Sequence, residues 1–305
     1  MLDKQLISGS LTREALYALK GYTGHMPSIG KASLCTVPPG DGGDVLLLPG
    51  FLENDRFMRS LAESLKTLGY KPHFFEKGIN FFPPKKALRN LEEAEARLDD
   101  IYFQNGNKKV SLVGHSGGGL LSLYLAFKHH HKVKKIIMQA TPTRISLVRG
   151  ECQAFLSNLF MRCNKNHPVI SDPIVMRGIL ESIGTVPTTS IIDISDPAVN
   201  ALTCVLPNID GAQSIVINGD GHVGILANLS AHILTGHALA QPWDPVKQSG
   251  PKLNLEALWA AGVNIDLAAT REAQNRVANY DEVAILNDLI EGKGRTPAEV
   301  VELRR

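Results

Sequence analysis

Lys109 to Gly119 reads KVSLVGHSGGG and runs straight into a helical stretch, Leu120 to Lys128. A mostly apolar strand that enters glycines on both sides of a serine, with a helix directly behind it, leaves few folds open to the chain. The turn needs residues without side chains on its flanks, because Ser116 must take a strained backbone conformation and strand and helix must approach closely. Such strain costs roughly 1–3 kcal/mol and persists only where the surrounding fold over-determines it. On its own the five-residue pattern Gly114-His115-Ser116-Gly117-Gly118 is a weak signal, since it also arises in plain loops. Its meaning depends on the strand before it, the helix after it and partners elsewhere.

Apolar runs alternate with amphipathic stretches from about residue 44 to residue 240, the pattern of βαβ units and a mostly parallel sheet. The expected strands are Asp44–Leu48, Lys71–Phe75, Val110–Val113, Val133–Gln139, Thr188–Ile192 and Ser214–Ile217. Helices are expected over Arg56–Gly69, Lys86–Phe103, the stretch after Ser116 to about His130, and Leu226–Thr235. Between about 142 and 186 the alternation stops, and an insertion with its own short helices is expected to form a cap. Residues 1–30 read as an arm with one helix, 31–245 as the α/β domain, and 246–305 as a helical C-terminal extension behind the linker QPWDPVKQSGP.

A chain of 305 residues is long enough for one large core with appendages. Its net charge of +2 gives no reason to expect nucleic acid or an anionic membrane surface. No run approaches the 18 apolar residues of a membrane span, and the N-terminus lacks a signal-peptide core, so a soluble cytoplasmic protein is expected. Cys35, Cys152, Cys163 and Cys204 lie far apart and read as buried free thiols, with a Cys152–Cys163 bridge as the alternative. His129-His130-His131 suits the negative end of a helix better than a metal site. No metal is expected, since the cysteines form no C-x-x-C pair, and a dinucleotide cofactor is not expected because GHSGGG lacks the G-x-G-x-x-G spacing and stands late in the sheet.

A serine becomes a nucleophile near neutral pH only with a base in reach and a third group to orient that base. His222, in the glycine-rich turn Asn218-Gly219-Asp220-Gly221-His222 behind an apolar strand, would project from the same carboxyl edge as Ser116. The acid should come from the end of the preceding strand, where Asp196, beyond the apolar run, is favoured over Asp193 and the loop residue Asp210. Two backbone N–H groups are needed for the oxyanion. Gly117 supplies one at its helix start, and Phe51, in the Pro49-Gly50-Phe51-Leu52 turn, supplies the other. Leu52, His115, Phe155, Leu159 and Val223 are expected around the substrate.

With these residues in view, VLLLPGFLENDRFMRSLAESLKTLGY, Gly78 to Asn80, VSLVGHSGGG, TTSIIDISDPAV and INGDGHVGIL together resemble the bacterial esterase/lipase branch of the α/β-hydrolase superfamily over about residues 40 to 240. The resemblance implies the triad acid at Asp196 and the base at His222. Relatives commonly have His-Gly where this chain has Pro49-Gly50, and often Asp-Gly where it has Asp196-Pro197. The expected function is cleavage of a small carboxylic ester with an apolar acyl part through an acyl-enzyme on Ser116. Acyl transfer or thioester hydrolysis would use the same residues, and a non-catalytic binding or scaffold protein with the C-terminal helices as its partner surface is the rival from another class; a homo-oligomer through those helices is compatible with each reading.

Overall fold

The computed structural model describes residues 4–75, 84–144, 173–244 and 249–277. Six strands form one sheet: β1 (Asp44–Leu48), β2 (Lys71–Phe74), β3 (Val110–His115), β4 (Val133–Gln139), β5 (Thr188–Asp193) and β6 (Ala212–Ile217). All neighbours are parallel and the order is β2-β1-β3-β4-β5-β6. Along β1 the side chains alternate between the two faces. Val45 and Leu47 join one hydrophobic core and Leu46 and Leu48 the other. A strand buried on both faces reads as a continuous apolar run, which is why DVLLL has no polar alternation.

The first face is covered by α2 (Arg59–Thr67) and α6 (Leu229–Ala240), with Leu61, Leu65, Leu234 and Leu239 in the core. The second is covered by α3 (Pro84–Gln104), α4 (Gly117–His129) and α5 (Pro173–Ser182), through residues such as Leu98, Leu121 and Ile179. Each such buried leucine contributes about 1.5–3 kcal/mol of transfer free energy. The expected α/β-hydrolase fold, a mostly parallel sheet flanked by helices, is the fold observed.

The chain ends depart from a bare sheet domain. Helix α1 (Lys4–Thr23) lies against the carboxyl edge near the 3-10 turn Gly224–Ala227. Past the linker come α7 (Leu255–Ala260) and α8 (Leu267–Val277). This segment returns to the outer edge of β6: Ile265 bridges Ile217, Asp266 N–H donates to the Val216 carbonyl (2.9 Å), and Val216 N–H donates to Thr270 Oγ1 (3.0 Å). An open strand edge is a template for unwanted pairing, and these bonds occupy it.

Most of the expected cap, from 145 to 172, lies outside the described residues, as do Cys152, Cys163 and the tail beyond 277. Cys204 is a buried free thiol as expected, whereas Cys35 is exposed because it follows a surface 3-10 turn. No described helix is long and apolar enough to cross a membrane.

Candidate active site

Strand order brings the site together. The chain leaves β1 for the edge strand β2 and then returns to the other side of β1 as β3, so the loops after β1 and β3 flank the point where the order reverses. Leu48 pairs with Gly114, which sets Pro49-Gly50-Phe51-Leu52 beside the turn of Ser116. Further along, Asp193 pairs with Ile217, and this register delivers the Asp196 and His222 loops to the same edge.

Ser116 occupies φ 49 and ψ −120, in the left-handed half of the map that non-glycine residues avoid, and is 8% exposed. Its N–H donates to the Gln139 carbonyl (2.8 Å), and Gly117 begins α4 directly behind it. Close packing requires Gly118: a Cβ there would lie 2.0 Å from the Leu48 carbonyl oxygen. Thus α4 presses against the loop that holds Phe51, and the N–H groups of Gly117 and Phe51 belong to adjoining segments.

His222 Nδ1 lies 2.6 Å from Asp196 Oδ2. The other oxygen of Asp196 accepts from Ala198 N–H (2.7 Å) and Val199 N–H (2.8 Å). Pro197 has no N–H to offer, so an Asx-type turn bonding two and three residues on is compatible with Asp-Pro. Burial disfavours the charged imidazole of His222, but the charge and hydrogen bond of Asp196, with the charges of Glu14 and Glu53, outweigh it and hold its pKa at about 9. Among the described residues, the hydrogen bond made by the His222 ring is the one to Asp196, and no Ser116–His222 hydrogen bond is closed. Such bonds are often open without substrate.

The other acid candidates take different places. Asp193 is wholly buried and accepts from Ser195 N–H (2.8 Å), Ser195 Oγ (2.7 Å), Gly219 N–H (3.2 Å) and Gly221 N–H (2.8 Å). It ties the β5 loop to the His222 loop. Burial pushes its pKa up, against the pull of those bonds. Asp210 is exposed at the amino end of β6, remote from His222. His232 donates through Nε2 to the Leu226 carbonyl (2.8 Å) and accepts at Nδ1 from Ser64 (2.8 Å), and its burial lowers its pKa to about 4.

His115, expected around the substrate, is instead fully buried beneath the site, because both ring nitrogens are engaged there. Nε2 donates to the His222 carbonyl (2.8 Å) and Nδ1 stands 2.9 Å from Glu53 Oε2, which also accepts from Gly50 N–H (2.6 Å). One buried pair therefore joins the Phe51 loop, the Ser116 turn and the His222 loop. Leu52, at φ 64, and Val223 are half-buried at the edge. Phe155 and Leu159 lie outside the described residues. Glu53 and Glu14 were not legible as site residues. No motif marks them, and only the folded chain brings them to His115 and His222. A cavity of about 440 Å³, bordered by Tyr70, Lys109 and Trp243, lies at the far, amino edge of the sheet.

Among solved structures the chain is similar to the lipase BlEst2 of Bacillus licheniformis in mature form, at 18% identity over 63% of this chain and 89% of that one, with a TM-score of 0.40. It is also similar to Est1E of Butyrivibrio proteoclasticus with ferulic acid bound, at 17% identity over 65% and 86%, TM-score 0.47. Naproxen esterase (carboxylesterase NP) from Bacillus subtilis is 15% identical over 63% and 81%, TM-score 0.39. Comparison with curated proteins gives no match. Residues 39–191, half of the chain, match the model of the PGAP1-like alpha/beta domain. That segment carries Phe51 and Ser116 and ends short of Asp196 and His222. With its parallel sheet and its strained serine, the chain belongs to the PGAP1-like alpha/beta domain family.

Proposed function

We propose that the protein is a serine hydrolase that cleaves carboxylic esters through an acyl-enzyme on Ser116. The observation that carries this reading is a serine on a strained strand-to-helix turn, beside a loop whose histidine is tied through Nδ1 to a carboxylate. With Nδ1–H donated to Asp196, Nε2 of His222 keeps the lone pair that accepts the Ser116 proton. Ser116 Oγ attacks the ester carbonyl, and the N–H groups of Gly117 and Phe51 meet the developing oxyanion. Removing one such donor typically costs about 10²–10³ in rate. His222 then gives its proton to the departing alkoxide, which leaves as the alcohol. Water attacks the acyl-enzyme, loses a proton to His222, and releases the acid as Ser116 regains its hydrogen. Half-buried Leu52 and Val223 beside the site support an ester with an apolar acyl part.

A fluorophosphonate probe tests this directly. It is expected to label the native protein at Ser116, read by peptide mass, and to leave Ser116→Ala unlabelled. Hydrolysis of p-nitrophenyl esters from acetate to palmitate should vanish in the same variant. Labelling elsewhere, or ester cleavage undiminished in Ser116→Ala, would move the chemistry to other residues.

A further inference from the structure

Helix α1 precedes the matched family segment, yet it touches two of the loops that build the site. At one end Tyr22 donates its hydroxyl to the Leu52 carbonyl and its ring meets Phe57 edge-on, with centroids 5.0 Å apart. Toward its middle, Glu14 reaches the loop of His222. Glu14 Oε2 accepts from Val223 N–H at 2.9 Å, and the residue is only 8% exposed. Its other oxygen, Oε1, is buried with no hydrogen-bond partner among the described residues. It lies so close to Gly221, at φ +93, that a Cβ there would stand 2.0 Å from it. A buried carboxylate with one oxygen left unpaired is unfavourable by the ordinary rules of burial.

We propose that Glu14 is a positioning residue for His222: the N-terminal helix inserts a carboxylate against the base loop, fixes it through Val223, and places a negative charge beside the imidazole. The inference rests on the reading of His222 as the general base. The groups facing His222 come from four segments: Asp196 after β5, Glu53 after β1, His115 on β3 and Glu14 on α1. Glu14 is among those that raise the proton affinity of the imidazole. Reciprocally, burial pushes the Glu14 carboxyl up, while Val223 N–H and the His222 charge pull it down. Arg13, its neighbour, approaches Asp220 at 3.9 Å, on the solvent side of the same loop.

The test compares Glu14→Gln and Glu14→Ala in the full chain. Gln keeps an acceptor for Val223 N–H and removes the charge, whereas Ala removes both. The titration of His222 is read by NMR, with the resonance assigned by its loss in His222→Gln. Fluorophosphonate labelling rates and kcat and KM on p-nitrophenyl butyrate are followed against pH. Glu14→Gln should move the His222 midpoint, and the acid limb of the rate profile, to lower pH by about half a unit or more. Glu14→Ala should lower the plateau kcat about tenfold or more with KM little changed, and Gln should restore most of it. A His222 midpoint in Glu14→Gln equal to that of the wild type, or a plateau kcat in Glu14→Ala at the wild-type level, overturns the proposal. If Glu14→Ala does not fold, the midpoint in Glu14→Gln decides. A wild-type protein that no fluorophosphonate labels would refute the hydrolase reading instead, and the NMR titration would still report on Glu14.

Discussion

Consider Asp196→Asn. The asparagine carbonyl can keep both bonds now made by Oδ1, to Ala198 and Val199 N–H, so the turn should survive. Its amide would occupy the place of Oδ2, 2.6 Å from His222 Nδ1, and offer a donor where an acceptor stood. The imidazole must answer by accepting at Nδ1 and carrying its proton on Nε2, the atom that takes the proton of Ser116 in the proposed mechanism. A wrong tautomer of this kind lowers turnover by about 10⁴, or ~5.4 kcal/mol of activation free energy. Stability carries a second signature. With His222 raised from 6.5 to about 9 in the folded protein, its stabilisation is fully present below pH 6.5 and is lost as pH rises through 9. That linkage amounts to about 3 kcal/mol. Asp196→Asn should therefore be more destabilising at pH 6 than at pH 10. The assay is the fluorophosphonate labelling rate at pH 9 to 10, with thermal melts at both pH values and Asp193→Asn as the control. Asp193 touches backbone and Ser195 but not His222, so its variant should keep its labelling rate within about tenfold per folded molecule. Labelling by Asp196→Asn within tenfold of the wild type would refute the reasoning. So would an equal loss in a well-folded Asp193→Asn.

Three further outcomes are expected. The wild-type kcat/KM should climb about tenfold per pH unit up to about pH 9 and then level, because only neutral His222 accepts a proton, and a profile flat between pH 6 and 8 would contradict this. Asp193→Asn should lose roughly 2–4 kcal/mol in urea unfolding, since its amide would face Gly221 N–H donor to donor and leave that buried group unsatisfied. Thr270→Val should cost about 1–3 kcal/mol in the same assay and increase association at high concentration in light scattering, because Val216 N–H on the edge of β6 loses its acceptor; an unchanged midpoint would show that water replaces the bond.

The central strands were legible because burial on both faces leaves nothing but apolar residues to read. Their ends were less so: β3 runs on through Gly114 and His115, since backbone pairing with Met138 and Gln139 continues where the apolar pattern stops. β6 likewise begins at Ala212, opposite Thr188, two residues before the run Ser214–Ile217 suggested. The candidate nucleophile, acid and base were legible from local signals, a glycine-flanked serine and two polar turns behind strands. What holds them was not. Glu53, Asp193 and Glu14 act through contacts 62, 28 and 209 residues away along the chain, and a lone acid in a loop or helix carries no sign of its distant partner. The C-terminal segment was legible as helices but not as the cover of β6, because edge pairing depends on backbone groups that every residue has.

Ser116 sits at φ 49, where glycine would be at ease. Its replacement by glycine would abolish the hydroxyl and relax the backbone in one step, so durability and reactivity are opposed at a single codon. On the hydrolase reading proposed above, the strain at Ser116 is the stability cost of holding the hydroxyl at the reacting position.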